Sequence, residues 1–279
     1  MFKLWFSWFI SLDIKNGRFV KTKILKGKCE YKKVFVWFIF ILFFLSLGVL
    51  GLTRKEVRIQ DINISGNSTV TSGEILAIVE EKINERYLWI IPTDNILLFQ
   101  RLEIPRTILD RVKKVESVYI KFVGLTKINI EITERVPEYS WCKNKTKELF
   151  GCYLMDKDGF IFSELSTTDS RHFVKYFGLI TSDNPIGQNY FNNLRFGEIN
   201  NFFVVLKNMN LNPYSFNAIS INEYEVDLVD GGKILLNNKE IFEKTLINLQ
   251  SLINDGYIKK KINHIDLRYG NKVHFDFRP

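Results

Sequence analysis

"VRIQDINISGNSTVTSGEILAIV", residues 57–79, changes rhythm halfway. Val57, Ile59, Ile62 and Ile64 recur at the short spacing of a strand, with a slip of phase near Asp61 that predicts a bulge. Ser65-Gly66-Asn67 reads as a turn. Thr71 stands three residues before Glu74, the spacing of a capping box, and Ile75, Ile78, Val79 and Ile83 follow at helical period. The stretch predicts strand, turn and helix in that order.

The pattern extends downstream. The apolar segment "ERYLWIIPTDNILLF" is expected to end the first helix and lead to another. In "IPRTILDRVKKV", Pro105 suits the first turn of a second helix, with Ile108, Leu109 and Val112 inward. Val118, Ile120 and Phe122 alternate. After a turn at Gly124, Ile128, Ile130 and Ile132 alternate again, with Asn129 and Glu131 outward. The order is β-α-α-β-β. Such a sheet buries one face under its helices and leaves the other face and one edge open, which suits strand addition by a peptide better than catalysis.

Upstream lies "VFVWFIFILFFLSLGVLGL", Val34 to Leu52, without a charge. A helix of that length covers about 28 Å, one hydrocarbon core. Residues 1–33 hold nine Lys/Arg and two acids, which is +7 of the chain's +8. The basicity is thus an orientation signal that keeps the N-terminus in the cytoplasm, not a nucleic-acid footprint. A cleaved signal peptide is the competing reading, since "SLGVLG" supplies small residues, but a 33-residue basic leader exceeds the usual n-region. The aromatic start "MFKLWFSWFISL" is too short to span. It reads either as an interfacial segment or as a tail.

Beyond residue 134 the pattern is mostly strands. "YSWC" and "GCYLMDKDGFIFSE" predict hairpins, with "DKDG" as a turn rather than a calcium loop, because position 167 is Thr where a bidentate acid is needed. "INNFFVVLKNM" and "NNKEIFEKTLINLQSLINDG" predict helices. "DGG" at 230–232 predicts a hairpin between Tyr224–Leu228 and Ile234–Leu236. "INHIDLRYGNKVHFDF" predicts two closing strands, with Val273, Phe275 and Phe277 on one face. The class is α+β: a transmembrane helix, a β-α-α-β-β domain, and a mainly β domain with helices packed on it.

Cys142 and Cys152 flank a short loop. They read either as a disulfide outside the cell or as two buried thiols. No GxSxG, HExxH or P-loop motif occurs, and His172, His264 and His274 are scattered. The reading is non-enzymatic, without cofactor, metal, small-molecule substrate or nucleic acid.

Taken in order, "VRIQDINISGN", "INIEITERVPEYSW", "CYLMDKDGFIFSE" and "HIDLRYGNKVHF" resemble the FtsQ/DivIB family of bacterial cell-division proteins over nearly the whole chain. Glu134-Arg135-Val136-Pro137 with Trp141, Asp156–Gly159 and Asp266-Leu267-Arg268 carry the likeness together. The resemblance implies a cytoplasmic tail (1–33), a membrane span (34–52), a POTRA domain (57–134) and a β-domain (135–279). It implies a single-pass protein of the cell (inner) membrane at the division septum that recruits single-span divisome partners of the FtsB/DivIC and FtsL type. The partner-binding strand would be Arg268, Tyr269, Asn271, Val273 and Phe275, with Arg268 meeting an acid on the partner. Leu125-Thr126, where a Pro-containing turn is usual, and the cysteine pair depart from the family pattern. Two other readings remain: a POTRA-bearing scaffold in protein translocation or envelope assembly, and an anchored hydrolase acting on cell wall.

Overall fold

The computed structural model describes residues 30–52, 54–87, 91–96, 99, 103–145, 151–166, 173–237, 247, 249–251, 262–269 and 272–277. The chain divides into two compact units, Met1–Leu52 and Thr53–Pro279. In the first, α1 spans Glu30–Leu52. Its stretch Lys33–Gly51 has a mean hydropathy of 2.7 and is long and apolar enough to cross a membrane once.

The second unit is sheet-rich and mixed α/β. Its first sheet has the order β1-β5-β4, from Asp61–Ser65 (β1), Val115–Val123 (β4) and Lys127–Glu134 (β5). β1 runs parallel to β5, and β4 antiparallel. Ile128, Ile130 and Ile132 of β5 are buried, while Asn129 and Glu131 point to the other face. Helix α2, Ser72–Ile83, begins as its sequence predicts: the Thr71 side chain accepts from the Glu74 N–H at 3.3 Å. Helix α3, Glu103–Arg111, carries Pro105 in its first turn, where no intrahelical N–H is lost. Ile75, Val79, Ile104 and Ile108 seal one face of the sheet. Each buried isoleucine contributes about 1.5–3 kcal/mol relative to exposure.

Two expectations need correction here. The expected strand over 57–64 forms only from Asp61. Before it lie a 3-10 turn, Lys55–Val57, and an isolated bridge from Arg58 to Asn95. The N–H groups of Gln60 and Asp61 both donate to the Thr126 carbonyl, at 2.7 and 3.2 Å, and this doubling is the slip of phase. Second, the segment between the helices forms a small antiparallel hairpin, Arg86–Tyr87 (β2) with Ile91–Pro92 (β3). The Thr93 hydroxyl beyond it donates to the Glu85 carbonyl at 2.8 Å, tying the hairpin to the end of α2.

Among the described residues the second sheet has nine strands in the order β14-β13-β12-β11-β10-β9-β6-β7-β8. They are Tyr139–Cys142 (β6), Cys152–Met155 (β7), Ile161–Glu164 (β8), Val174–Gly178 (β9), Pro213–Ala218 (β10), Glu223–Leu228 (β11), Lys233–Asn237 (β12), Ile262–Tyr269 (β13) and Lys272–Phe277 (β14). The pairs β6–β9, β9–β10 and β12–β13 are parallel and the rest antiparallel. Helix α4, Asn193–Asn208, buries Phe196, Ile199, Phe202, Phe203 and Leu206 against the sheet. It starts earlier than the apolar run suggests, because Asn192 caps it by accepting from the Arg195 N–H at 2.9 Å. The expected helix over 237–256 falls mostly outside the described residues, though Leu249 is buried in the same core. The boundary expected after residue 134 coincides with the end of β5, yet both sheets belong to one compact unit.

Candidate functional site

The closing hairpin forms one edge of the large sheet, the other being β8. β14 is the outer strand on its side, paired to β13 with Ile265 opposite Phe275 and Asp266 opposite His274. Tyr269 is 59% exposed and Phe275 38% exposed. The Tyr269 ring meets His274 edge-on at 5.6 Å, and Phe275 lies 5.2 Å from Phe277. The hairpin thus presents two large rings beside a strand without a further neighbour among the described residues. Such an edge is a template for another strand.

Val273 and Arg268 stand differently from expectation. Val273 packs against the main core together with Phe277, so it holds the strand down rather than facing out. The Arg268 guanidinium is engaged within the chain. Its Nη2 donates to Asp266 Oδ2 at 2.7 Å, its Nε to Asp266 Oδ1 at 3.0 Å, and its Nη1 lies 3.5 Å from Glu223. Burial pushes the Asp266 carboxyl up, but the bonds from Arg268 outweigh it and hold the carboxyl below its ordinary range. The same hydrogen bonds raise the Arg268 guanidinium. Arg268 therefore ties β13 to β11 instead of waiting for an acid elsewhere. Asn271 lies outside the described residues.

Cys142 and Cys152 sit opposite each other at the end of β6–β7 and are joined by a disulfide. Just past Cys142, Lys145 reaches across the sheet to Glu225 at 2.6 Å and Asp227 at 2.7 Å, while Ser215 donates to Asp227 at 2.5 Å. Burial lowers the Lys145 ammonium, but its two carboxylate partners win and raise it. Sequence reasoning missed this cluster, because its members lie far apart in the chain and carry no spacing signal.

It also missed how Glu134 is held. The Glu134 carboxylate accepts from the N–H groups of Ser68, Thr69 and Val70 at 2.6, 2.9 and 2.9 Å, and from the Thr69 hydroxyl at 2.5 Å. Burial pushes this carboxyl up, but these donors bring it down to about 2. The next residue, Arg135, binds Asp156 of the "DKDG" turn and stacks over the Phe160 ring at 4.1 Å. Asp156 Oδ1 in turn accepts from the N–H groups of Asp158 and Phe160, at 2.9 and 3.0 Å, so this carboxylate builds the turn. The Glu134-Arg135 pair and the "DKDG" turn are thereby in contact.

Among the described residues no three His, Cys, Asp or Glu side chains converge as a metal site would require. His264 approaches Asp276 at 3.8 Å, and His172 lies outside the described residues. Compared with known proteins, the chain matches no family model and no curated relative.

Proposed function

We propose that this protein is a membrane-anchored docking scaffold of the FtsQ/DivIB kind, with a POTRA domain over 57–134 and a β-domain over 135–279. α1 spans the membrane with its basic flank in the cytoplasm, and the sheets work outside the cell membrane, where a Cys142–Cys152 disulfide persists. Its role is to recruit and link single-span division proteins of the FtsB/DivIC and FtsL type during septum formation, without chemistry of its own.

The observation that carries this reading is the β14 edge. An extended segment of a partner pairs with β14 through backbone hydrogen bonds and packs against Tyr269 and Phe275. Because Arg268 is satisfied inside the chain, it orients the hairpin for the partner rather than binding its acid.

The test is capture of a purified FtsB/DivIC-type partner. Tyr269→Ala and Phe275→Lys, both at exposed positions, are expected to weaken capture at least about tenfold, the size of a 1.4 kcal/mol anchor, with cooperative melting retained. Undiminished capture by both variants sinks the proposal.

A further inference from the structure

The two sheets have separate cores. One collects Ile75, Ile108 and Ile130, the other Trp141, Tyr176 and Phe216, and among the described residues no side chain belongs to both. Two cores joined through a short connection ordinarily move relative to each other. Here both sheets fall within one compact unit, and the polar contacts at the connection cross between them.

The connection is residues 135–138, between β5 and β6. Its first anchors lie on the smaller sheet's side and its later ones on the larger sheet's side. Glu134 grips the Ser68–Val70 turn ahead of α2, through four donors within 2.9 Å. The Arg135 N–H donates to the Lys114 carbonyl at 2.8 Å on the same side. The Arg135 side chain crosses to the other sheet, where it meets Asp156 and Phe160. The Glu138 N–H then donates to the Met155 carbonyl at 2.9 Å. Pro137 stiffens the step between them by fixing its own φ and keeping Val136 extended.

We infer that Glu134 and Arg135 form a two-sided clasp, adjacent residues of opposite charge that seize opposite sheets and set the angle between them. Two lesser contacts lie beside it. Lys157 reaches Glu116 of β4 at 3.0 Å, and the Lys113 side chain runs against Gly187. Around the clasp is a cleft of about 440 Å³ whose walls come from both sheets, with Thr69 and Lys114 on one and Leu154 and Phe162 on the other. The space is open, so apolar packing there does not fix the angle.

The burial of the charges matters. Asp156 is only 5% exposed and Arg135 17%. Breaking a buried pair on one side leaves a desolvated charge, so the joint has one strongly preferred state instead of a continuum. Glu134 acts from the more exposed side, where many donors replace burial. Both are positioning residues. The clasp is inferred independently of the docking reading. If a partner sits on β14, the clasp holds it at a fixed offset from the smaller sheet.

The test is a distance distribution by pulsed electron spin resonance on the full chain in lipid nanodiscs. Nitroxides are placed at Lys121→Cys on β4 and Lys207→Cys on α4, in a Cys29→Ser background. The parent is expected to give one narrow distribution. Arg135→Met and Glu134→Ala are each expected to broaden it roughly twofold, as for domains freed at a linker, with circular dichroism unchanged. If Arg135→Met fails to fold because Asp156 is stranded, Arg135→Met with Asp156→Asn leaves no orphan charge and serves in its place. A distribution already broad in the parent, or one left narrow by both lesions, overturns the clasp. Partner capture plays no part in the readout, so failure here leaves the docking proposal standing, and the reverse.

Discussion

The smaller core is almost wholly aliphatic, and the larger one adds a cluster of aromatic rings to its aliphatic side chains. Around β1, β4 and β5 the fully buried side chains are isoleucines and valines, with Phe99 among them. Under the nine-stranded sheet sit Trp141, Tyr176, Tyr190, Phe196, Phe202, Phe203, Phe216 and Tyr224. Tyr176 alone lies within ring-contact distance of Tyr139, Tyr190, Phe196, Phe203 and Phe216. A branched aliphatic side chain fills space next to its own strand or helix turn. A ring reaches across several strands, and a phenol or indole also demands a partner. Trp141 Nε1 donates to Gly178 O at 3.1 Å, the Tyr190 hydroxyl to Phe177 O at 2.6 Å, and the Tyr176 hydroxyl to Asn200 at 2.7 Å. The first core is held mainly by area. The second adds direction.

Both cores share one device, and it yields the largest expected effect. Gly66 has φ +84 and a Cβ there would stand 2.2 Å from the Ile132 carbonyl oxygen; Gly178 has φ +81 and would meet the Ala218 carbonyl at 2.2 Å. Each glycine ends a strand that runs parallel to its neighbour. Gly66→Val and Gly178→Val are each expected to cost about 3 kcal/mol or more. In hydrogen exchange, the first should release β1 and β5, and the second β9 and β10. Loss of protection spread evenly over both sheets in either variant would erase the distinction between the two cores.

Tyr176→Phe probes the directional part alone. It keeps the ring and removes one buried hydrogen bond, so a loss of about 1–2 kcal/mol is expected in denaturant unfolding. A neutral result would reduce the aromatic core to area, like the smaller one.

The smallest expected effect is at Glu134. Its carboxyl is held at about 2 in the folded chain, below its ordinary 4.5. The stability it adds is fully present above about pH 4.5 and fades as pH falls toward 2. Because solvent screens this partly exposed carboxylate, Glu134→Ala is expected to lower stability by only about 1 kcal/mol at neutral pH. It should also flatten the decline of melting temperature across that window. An unchanged acid limb would show that the Ser68–Val70 turn is held by something else.

The difference between the cores also explains what was legible beforehand. The strand ending at Ser65, the Thr71 cap, both helices and the alternation of β4 and β5 follow from spacing, because each isoleucine reports the face of its own element. The 57–60 segment imitates a strand because Ile59 is buried in the smaller core, while the backbone at Val57 and Ile59 bonds to residues 94–96 instead of to the sheet. In the larger sheet the strands around the "DKDG" and "DGG" turns and the two closing strands were visible, and the "DGG" hairpin stands where expected, but β9 and β10 were missed. The placement of β9 between β6 and β10 was not visible, since parallel partners distant in sequence leave no local period. At the candidate site, Tyr269 and Phe275 are named through the resemblance, since alternation alone puts Phe275 on the face of Val273 and Phe277. That Val273 turns inward and Arg268 is already paired could not be read, because both depend on what lies beneath and beside the hairpin.

By itself the sequence determined the helices α2 and α3, the strongly alternating strands and the membrane-length segment, through hydrophobic period, caps, turn residues and the concentration of charge before Val34. These are local properties, governed by backbone geometry and transfer free energy over a few neighbouring residues. Only the tertiary structure decided which strand lies outermost, which charges are spent on partners within the chain, and how Glu134 and Arg135 divide between two sheets. Those outcomes rest on contacts between residues far apart in the chain, whose energies no single stretch of sequence contains.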